Sequence, residues 1–379
     1  MEEVPFEDRH VPHVQVDWDR SAWWWYPLTR VVHPAMRMTS LVLSVFAVVL
    51  VRAGMQLGEW LFSPAWESGI RLDSSTNVLP STTALEWLSR LAKDLAAAES
   101  LRWNEVAFVS FEMLWITLVV AAFGGVLTRR AAIELGQRTI GTWSESFRIV
   151  FSRLNSYLWA TGMHLVALSL LLLPFLLLGW LSRLGGVGAN IAGVLMLLMF
   201  PLVFSVGRFA FSAIICFPVS VAAISIEKEA DAFEGFSRSN AYLIQRPIAA
   251  AVCILLLLGA GLVGEQIVYW SLNSGWWLIS RTFATTAAES QTVYLNAGDW
   301  LTGSLVTAFG FSFFWAAVAA VYLILRKSVD HAELDQISEI ESKVEKTLPD
   351  IPSTPPQPEP ATAASDQAEP SSDSTDSEA

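Results

Sequence analysis

The sequence predicts an all-α integral membrane bundle: about six transmembrane helices, amphipathic interfacial helices, and a disordered acidic C-terminal tail. Three observations carry that prediction. Of 379 residues, 53% are hydrophobic and only 16% charged, against about 25% charged in a soluble domain. The apolar excess is gathered into long runs, each supplying the roughly 20 residues a helix needs to cross about 30 Å of hydrocarbon. Lysines and arginines concentrate in alternate connections between those runs, the usual pattern of a multi-pass protein.

Residues 1–37 read as an N-terminal arm. Its first 20 residues are polar, and no basic stretch leads into an apolar one, so a cleaved signal peptide is not expected. His10 and His13, beside Asp17 and Asp19, fit a mobile acidic arm better than a metal site. Trp23, Trp24, Trp25 and Tyr26 follow, with Arg30, His33 and Arg37 behind them. Aromatic rings backed by cations suit the headgroup layer.

The membrane domain, 38–327, contains spans at about 38–62, 105–127, 157–181, 189–226, 248–271 and 300–325. The fourth run is too long for one perpendicular span. Pro201 and Pro218 are its candidate kink points, because proline removes a helix hydrogen bond. One kinked span and a span plus a re-entrant segment both remain open. The turn at Gly185, Gly186 and Gly188 is read as a tight connection.

Cations set the orientation. Arg129, Arg130, Arg138, Arg148 and Arg153 lie in 128–156, and Lys228, Arg238 and Arg246 in 227–247. The loops near 182–188 and 272–299 hold one arginine each, Arg183 and Arg281. Positive residues favour the cytoplasmic side, so six spans put both termini in the cytoplasm. Trp60, Trp103, Trp180, Trp270 and Trp300 fall at the outer span ends as an aromatic belt. The expected location is the bacterial cytoplasmic (inner) membrane.

Three segments read as surface helices. Residues 82–101 pair a Thr83–Glu86 capping-box pattern with a stripe of Leu85, Leu88, Leu91 and Leu95. Residues 142–156 pair Thr142–Glu145 with Trp143, Phe147, Val150, Phe151 and Leu154. Residues 228–244 place Phe233, Phe236, Leu243 and Ile244 similarly, and Pro247 fits the first turn of the next span. Nearby Glu227, Glu229, Asp231 and Glu234 are read as helix-start charge rather than a cation site. The tail, 328–379, is expected to be disordered from about 347. Residues 330–379 hold 13 acids against two bases, so the net charge of −12 belongs almost wholly to the tail.

An internal match stands out. Phe151, Ser152, Arg153, Asn155, Tyr157 and Leu158 recur 85 positions later as Phe236, Ser237, Arg238, Asn240, Tyr242 and Leu243. Each copy precedes an outgoing span, which predicts a parallel internal repeat with a shared backbone and Tyr157 and Tyr242 at the inner interface. Arg153 and Arg238 are expected near carboxylates or lipid phosphates.

Ionisable residues inside spans need partners. The intramembrane polar residues are Arg52, Glu112, His164, Arg208 and Glu265. Arg52 lies roughly 21 Å into its span and Glu112 roughly 10 Å into the next from the opposite side. These depths match, so an internal ion pair is expected, with an ion or solute site as the other reading. His164 is read as a packed histidine, and Arg208 and Glu265 as residues that reach the interface.

Cys216 and Cys253 lie in apolar runs and read as core residues. No glycine-rich phosphate loop, His-Glu-x-x-His or Gly-x-Ser-x-Gly pattern occurs. No catalytic residue, cofactor or metal is therefore expected, and no nucleic-acid partner.

The segment Asp231-Ala232-Phe233-Glu234-Gly235-Phe236-Ser237-Arg238-Ser239, with Tyr242 and Gln245-Arg246-Pro247, resembles a recurring feature of uncharacterised bacterial multi-span membrane proteins. Gly124-Gly125, Arg129-Arg130-Ala131-Ala132 and Ser146-Phe147-Arg148 look like their preceding cytoplasmic segment. More distantly, the chain is similar to membrane domains attached to some glycerophosphodiester phosphodiesterases. The resemblance covers about 105–335 and implies a polytopic helical bundle without an assigned reaction. The expected function is a non-enzymatic membrane organiser that contacts the lipid bilayer and a protein partner or a second copy of the chain. The alternative is a small-solute or ion transporter built on the repeat.

Overall fold

The computed structural model describes residues 26–62, 103–228, 230–285, 292–332, 334, 335 and 337. The aromatic run at 23–25, the expected outer helix at 82–101 and the acidic tail from 338 onward lie outside the described residues.

The described residues form helices and short connections. Two single-turn helices, α1 (Tyr26–Thr29) and α2 (Val32–Ala35), lead into α3 (Met38–Phe62). Then α4 (Trp103–Val119) passes through one π-helical turn, Val120–Gly124, into α5 (Gly125–Gln137). Next come α6 (Trp143–Ser152), α7 (Leu154–Ser182), α8 (Gly186–Leu198) and α9 (Phe200–Ile226). The chain continues through α10 (Ala232–Gln245), α11 (Pro247–Ala284) and α12 (Thr292–Asp330). Five helices are long and apolar enough to cross a membrane, or six if the bent α8–α9 pair counts as one span.

Their ends decide the number of passes. Arg37, at the start of α3, pairs with Glu134 of α5 at 2.7 Å. Tyr157, in the first turn of α7, meets Ser225 at the end of α9 at 2.9 Å. Arg246, at the start of α11, donates to the Ser328 carbonyl of α12 at 3.4 Å. Three helix starts and three helix ends thus gather at one arginine-rich end, as six alternating passes require. At 1.5 Å per residue α9 alone measures about 40 Å, more than a hydrocarbon core. The α8 helix is an additional apolar segment, bent 60° from α9. The break falls at Met199, with Pro201 in the first turn of α9, while Pro218 sits inside α9 without interrupting it. Of the two candidate prolines, only Pro201 marks the break. Gly185 and Gly186 make the α7–α8 turn at φ +70° and +50°, values that favour glycine.

The core is built around α12. Ala308, Ala316, Ala319 and Ala320 are buried along it, and their small side chains let α3, α5, α9 and α11 approach. Trp315, Phe311 and Tyr322 fill the space between those helices. In contrast, α7 and α8 turn Leu170, Leu176, Val194 and Leu197 outward. Only hydrocarbon solvates such faces favourably. The five belt tryptophans, Trp60, Trp103, Trp180, Trp270 and Trp300, are all exposed.

Several boundaries differ from the sequence reading. The segment expected to be the loop 272–299 is helical as far as Ala284 and again from Thr292. No proline interrupts 272–284, and Trp276 ties the two helices by donating to Asp299 at 2.5 Å. Apolarity marks where hydrocarbon ends, not where a helix must end. Likewise α5 carries the second span's helix on to Gln137. The end of the arm is part of the body: Leu28, Val31 and Ala35 are buried, and Ser312 donates to the Ala35 carbonyl at 2.9 Å. Ile337 is buried too, and Gln137 donates to the Asp335 carbonyl at 3.3 Å.

Candidate functional site

Two features gather the chemistry-bearing residues: a polar clamp at the arginine-rich end and an apolar cleft between helices.

The clamp begins with local capping. Asp231 accepts from the Glu234 backbone N–H at 2.8 Å and starts α10. In α6, Thr142 holds the N-cap position in extended geometry, but its hydroxyl donates to Glu145 at 3.4 Å instead of the side chain capping the backbone. Trp143, Phe147 and Phe151 stack in series along α6, with centroids 6.2 and 5.9 Å apart. The Arg130 guanidinium sits 4.6 Å above the Trp143 ring.

Glu227, just past α9, is the node. It accepts from Arg326 Nε at 2.9 Å and from the Tyr322 hydroxyl at 2.7 Å, both on α12. Arg238 of α10 lies 3.6 Å away and also pairs with Glu234, within reach of Asp330 at 3.9 Å. Tyr242 donates to Asp330, and burial together with that carboxylate pushes its phenol well above the ordinary tyrosine value. Beside the node, Arg153 donates to the carbonyls of Ile224 and Glu227 at 2.8 and 2.7 Å, and to that of Lys228. These are the carbonyls that a helix end leaves without intrahelical donors. Arg129, fully buried, donates to the Ser225 carbonyl at 2.9 Å and to Glu145 at 3.3 Å.

The two copies of the sequence match therefore meet different surroundings. Arg153 is itself the break between α6 and α7, with φ −109° and ψ 12°, so Tyr157 belongs to the span. Arg238 and Tyr242 both lie inside α10, whose break comes at Arg246. The expectation of a shared backbone is overturned: the second copy keeps its helix eight residues further, until Pro247 enforces the joint. Tyr157 is fully buried within the bundle, in the first turn of α7 at the arginine-rich end. Arg238 finds carboxylates as expected, whereas Arg153 finds backbone carbonyls. The copies nevertheless do the same thing, since in each an Arg and a Tyr one turn apart grip the end of a neighbouring span, α9 in one case and α12 in the other. Of the remaining match residues, Ser152 bonds within its helix to the Ile149 carbonyl at 2.8 Å. Asn240 donates to the Phe236 carbonyl at 2.9 Å and accepts from the buried Cys216 thiol at 3.4 Å. Phe236 meets the His164 ring edge-on at 4.7 Å, and Phe151 is exposed.

The expected Arg52–Glu112 ion pair does not form. Arg52 donates to Ser304 of α12 at 3.4 Å and lies 5.5 Å from the Trp300 ring. Glu112 is 3% exposed, and neither carboxylate oxygen has a hydrogen-bond partner among the described residues. A Cβ placed on Gly58 would meet Glu112 at 2.5 Å, so Glu112 is level with Gly58 and not with Arg52. Six helical residues separate those two positions, about 9 Å. Arg52 also faces a different neighbour, α12. Arg208 is exposed on α9, about 27 Å from that helix's arginine-rich end. Glu265 is half-buried on α11.

His164 is packed, as expected, and its Nδ1 bonds the Ala160 carbonyl at 2.8 Å. It also lines a cleft of about 570 Å³ between α7, α9, α11 and α12. Sequence reasoning missed Tyr322, Ser225, Asp330 and the partners of Arg326, and read Arg129 only as one of the cations that set orientation. One signal was available: Arg129 and Arg130 follow the second apolar run without a helix breaker.

No protein-family model, curated protein or solved structure matches the chain.

Proposed function

We propose that the chain is a non-enzymatic protein of the bacterial cytoplasmic membrane, with both termini in the cytoplasm and the clamped end serving as a contact platform. The clamp is the observation that carries this reading. Arg129, Arg153, Arg238 and Arg326 are engaged by carbonyls and carboxylates of neighbouring helices, an arrangement that fixes span ends. Around this rigid end, α6 and α10 leave Phe151, Phe233 and Ile244 exposed beside the membrane plane. Such rims suit contacts with lipid headgroups and with a partner protein or a second copy. Crosslinking in intact membranes, followed by purification of the full chain, tests the reading. A reproducible partner or dimer captured through Phe151 or Phe233 supports it. Solute uptake by the purified protein in proteoliposomes, with no such capture, refutes it.

One observation favours the transporter reading. Glu112 is a buried carboxyl without a hydrogen-bond partner among the described residues, and ionisable groups at such depth mark ion and proton paths. Uptake abolished by Glu112→Gln in a stably folded protein would establish it.

A further inference from the structure

The cleft is a feature that the clamp does not use. Its volume of about 570 Å³ falls within the range of small-molecule sites, about 300–1,000 Å³. Leu165, Ile214, Phe217, Leu257, Phe313 and Val318 line it. Leu165 and Leu258 on its walls are exposed, so where the helices cross a bilayer the medium at its mouth is hydrocarbon.

His164 breaks that apolar lining. It is 5% exposed, and its Nδ1 faces a carbonyl, which can only accept. The proton therefore sits on Nδ1 in the neutral ring, and Nε2 carries a lone pair. Nε2 is buried and has no hydrogen-bond partner among the described residues. A buried acceptor of this kind is costly until a donor meets it. Across the cleft, Pro218 has no N–H to give, so the Ile214 carbonyl lacks its usual donor four residues on. The His164 wall thus favours a ligand that brings a proton donor. The apolar lining opposes an anion, whose charge it would leave unsolvated.

We propose that this cleft binds a neutral, lipid-soluble alcohol, with its chain along the apolar walls and its hydroxyl donating to His164 Nε2. Fatty and isoprenoid alcohols share that chemistry.

The test uses the full chain in detergent micelles with a diazirine-bearing hexadecanol as photolabel. Unlabelled hexadecanol, hexadecane and hexadecanoate compete at equal mole fraction. Peptide mapping should place the label on α7, α9 or α11 within the cleft. Hexadecanol should compete roughly tenfold better than hexadecane, the ratio expected for one buried hydrogen bond. His164→Leu should erase that ratio. Leu258→Trp, which narrows the mouth and leaves His164 in place, should abolish labelling. Equal competition by hexadecane and hexadecanol in the wild type would overturn the proposal, and that comparison holds even where a variant fails to fold. Labelling outside the cleft, or hexadecanoate matching hexadecanol, would overturn it as well.

Discussion

Replacing Glu227 is the sharpest test of the clamp. Its side chain is 13% exposed and that of Arg326 10%, so solvent screens the pair little. Glu227→Ala removes the Arg326 contact at 2.9 Å and the Tyr322 acceptor at 2.7 Å together. Breaking one side of a buried, hydrogen-bonded pair costs about 3–5 kcal/mol, mainly because the surviving charge stays desolvated. A body of this size loses about 2 °C in midpoint per kcal/mol, which predicts a fall of roughly 6–10 °C. Glu227→Gln keeps an acceptor for Tyr322 and loses only the charge, so its fall should be about half as large. Combining Glu227→Leu with Arg326→Met removes both charges, and should cost less than the two single changes summed. Thermal unfolding of the purified protein in one detergent, followed by tryptophan fluorescence, reads all of these. If Glu227→Ala melts within about 1 °C of wild type, or the double change is strictly additive, Glu227 is not the node that fixes α9 to α12.

Three further outcomes follow from the packing. Arg52→Ala and Glu112→Ala should add to within about 0.5 kcal/mol in denaturation, because the two side chains share no contact; a coupling above about 1 kcal/mol would mean that they meet. Gly136→Ala should detach the segment around Leu334, because a Cβ there would lie 2.2 Å from the Leu334 carbonyl oxygen; limited proteolysis should then cut before Ile337 faster than in wild type, and an unchanged rate would refute the packing. Single cysteines at Ser144 and Ser237 should resist an impermeant thiol reagent in intact cells while one at Ser89 is labelled, with little background since Cys216 and Cys253 are both buried; labelling at Ser237 without lysis would reverse the proposed orientation.

The spans were legible because burial in hydrocarbon imposes one demand on every residue of a segment, and a run such as 38–62 states it directly. Their ends were less legible. At 128–137 and 272–284 the helix outlasts the apolar run, since nothing in either stretch breaks it. The partners of the charges were least legible of all. Matching Arg52 to Glu112 by depth uses only the rise per residue, whereas contact also needs the two residues to face each other. Even the depth was off, because Glu112 is level with Gly58, about 9 Å along α3 from Arg52. Azimuth depends on how α3 rolls against both α4 and α12, and that is settled by Trp115 donating to the Leu50 carbonyl at 2.9 Å and lying against Gly54.

The repeated Arg-x-x-x-Tyr pair shows the same limit from the other side. Spacing of four places both side chains on one helix face whenever a helix runs through them. That condition holds within α10, and it also holds at the α6–α7 joint, because Arg153 stands at the boundary and Tyr157 one turn inside. Six matching residues thus yield two clamps with different backbones. The chemistry of the pair, a forked cation and a hydroxyl aimed at a helix end, tolerates the difference. A helix end offers several acceptors within one turn, so an arginine reaching it succeeds from more than one starting geometry. That tolerance explains how similar residues can fasten α9 and α12 alike without a common local fold.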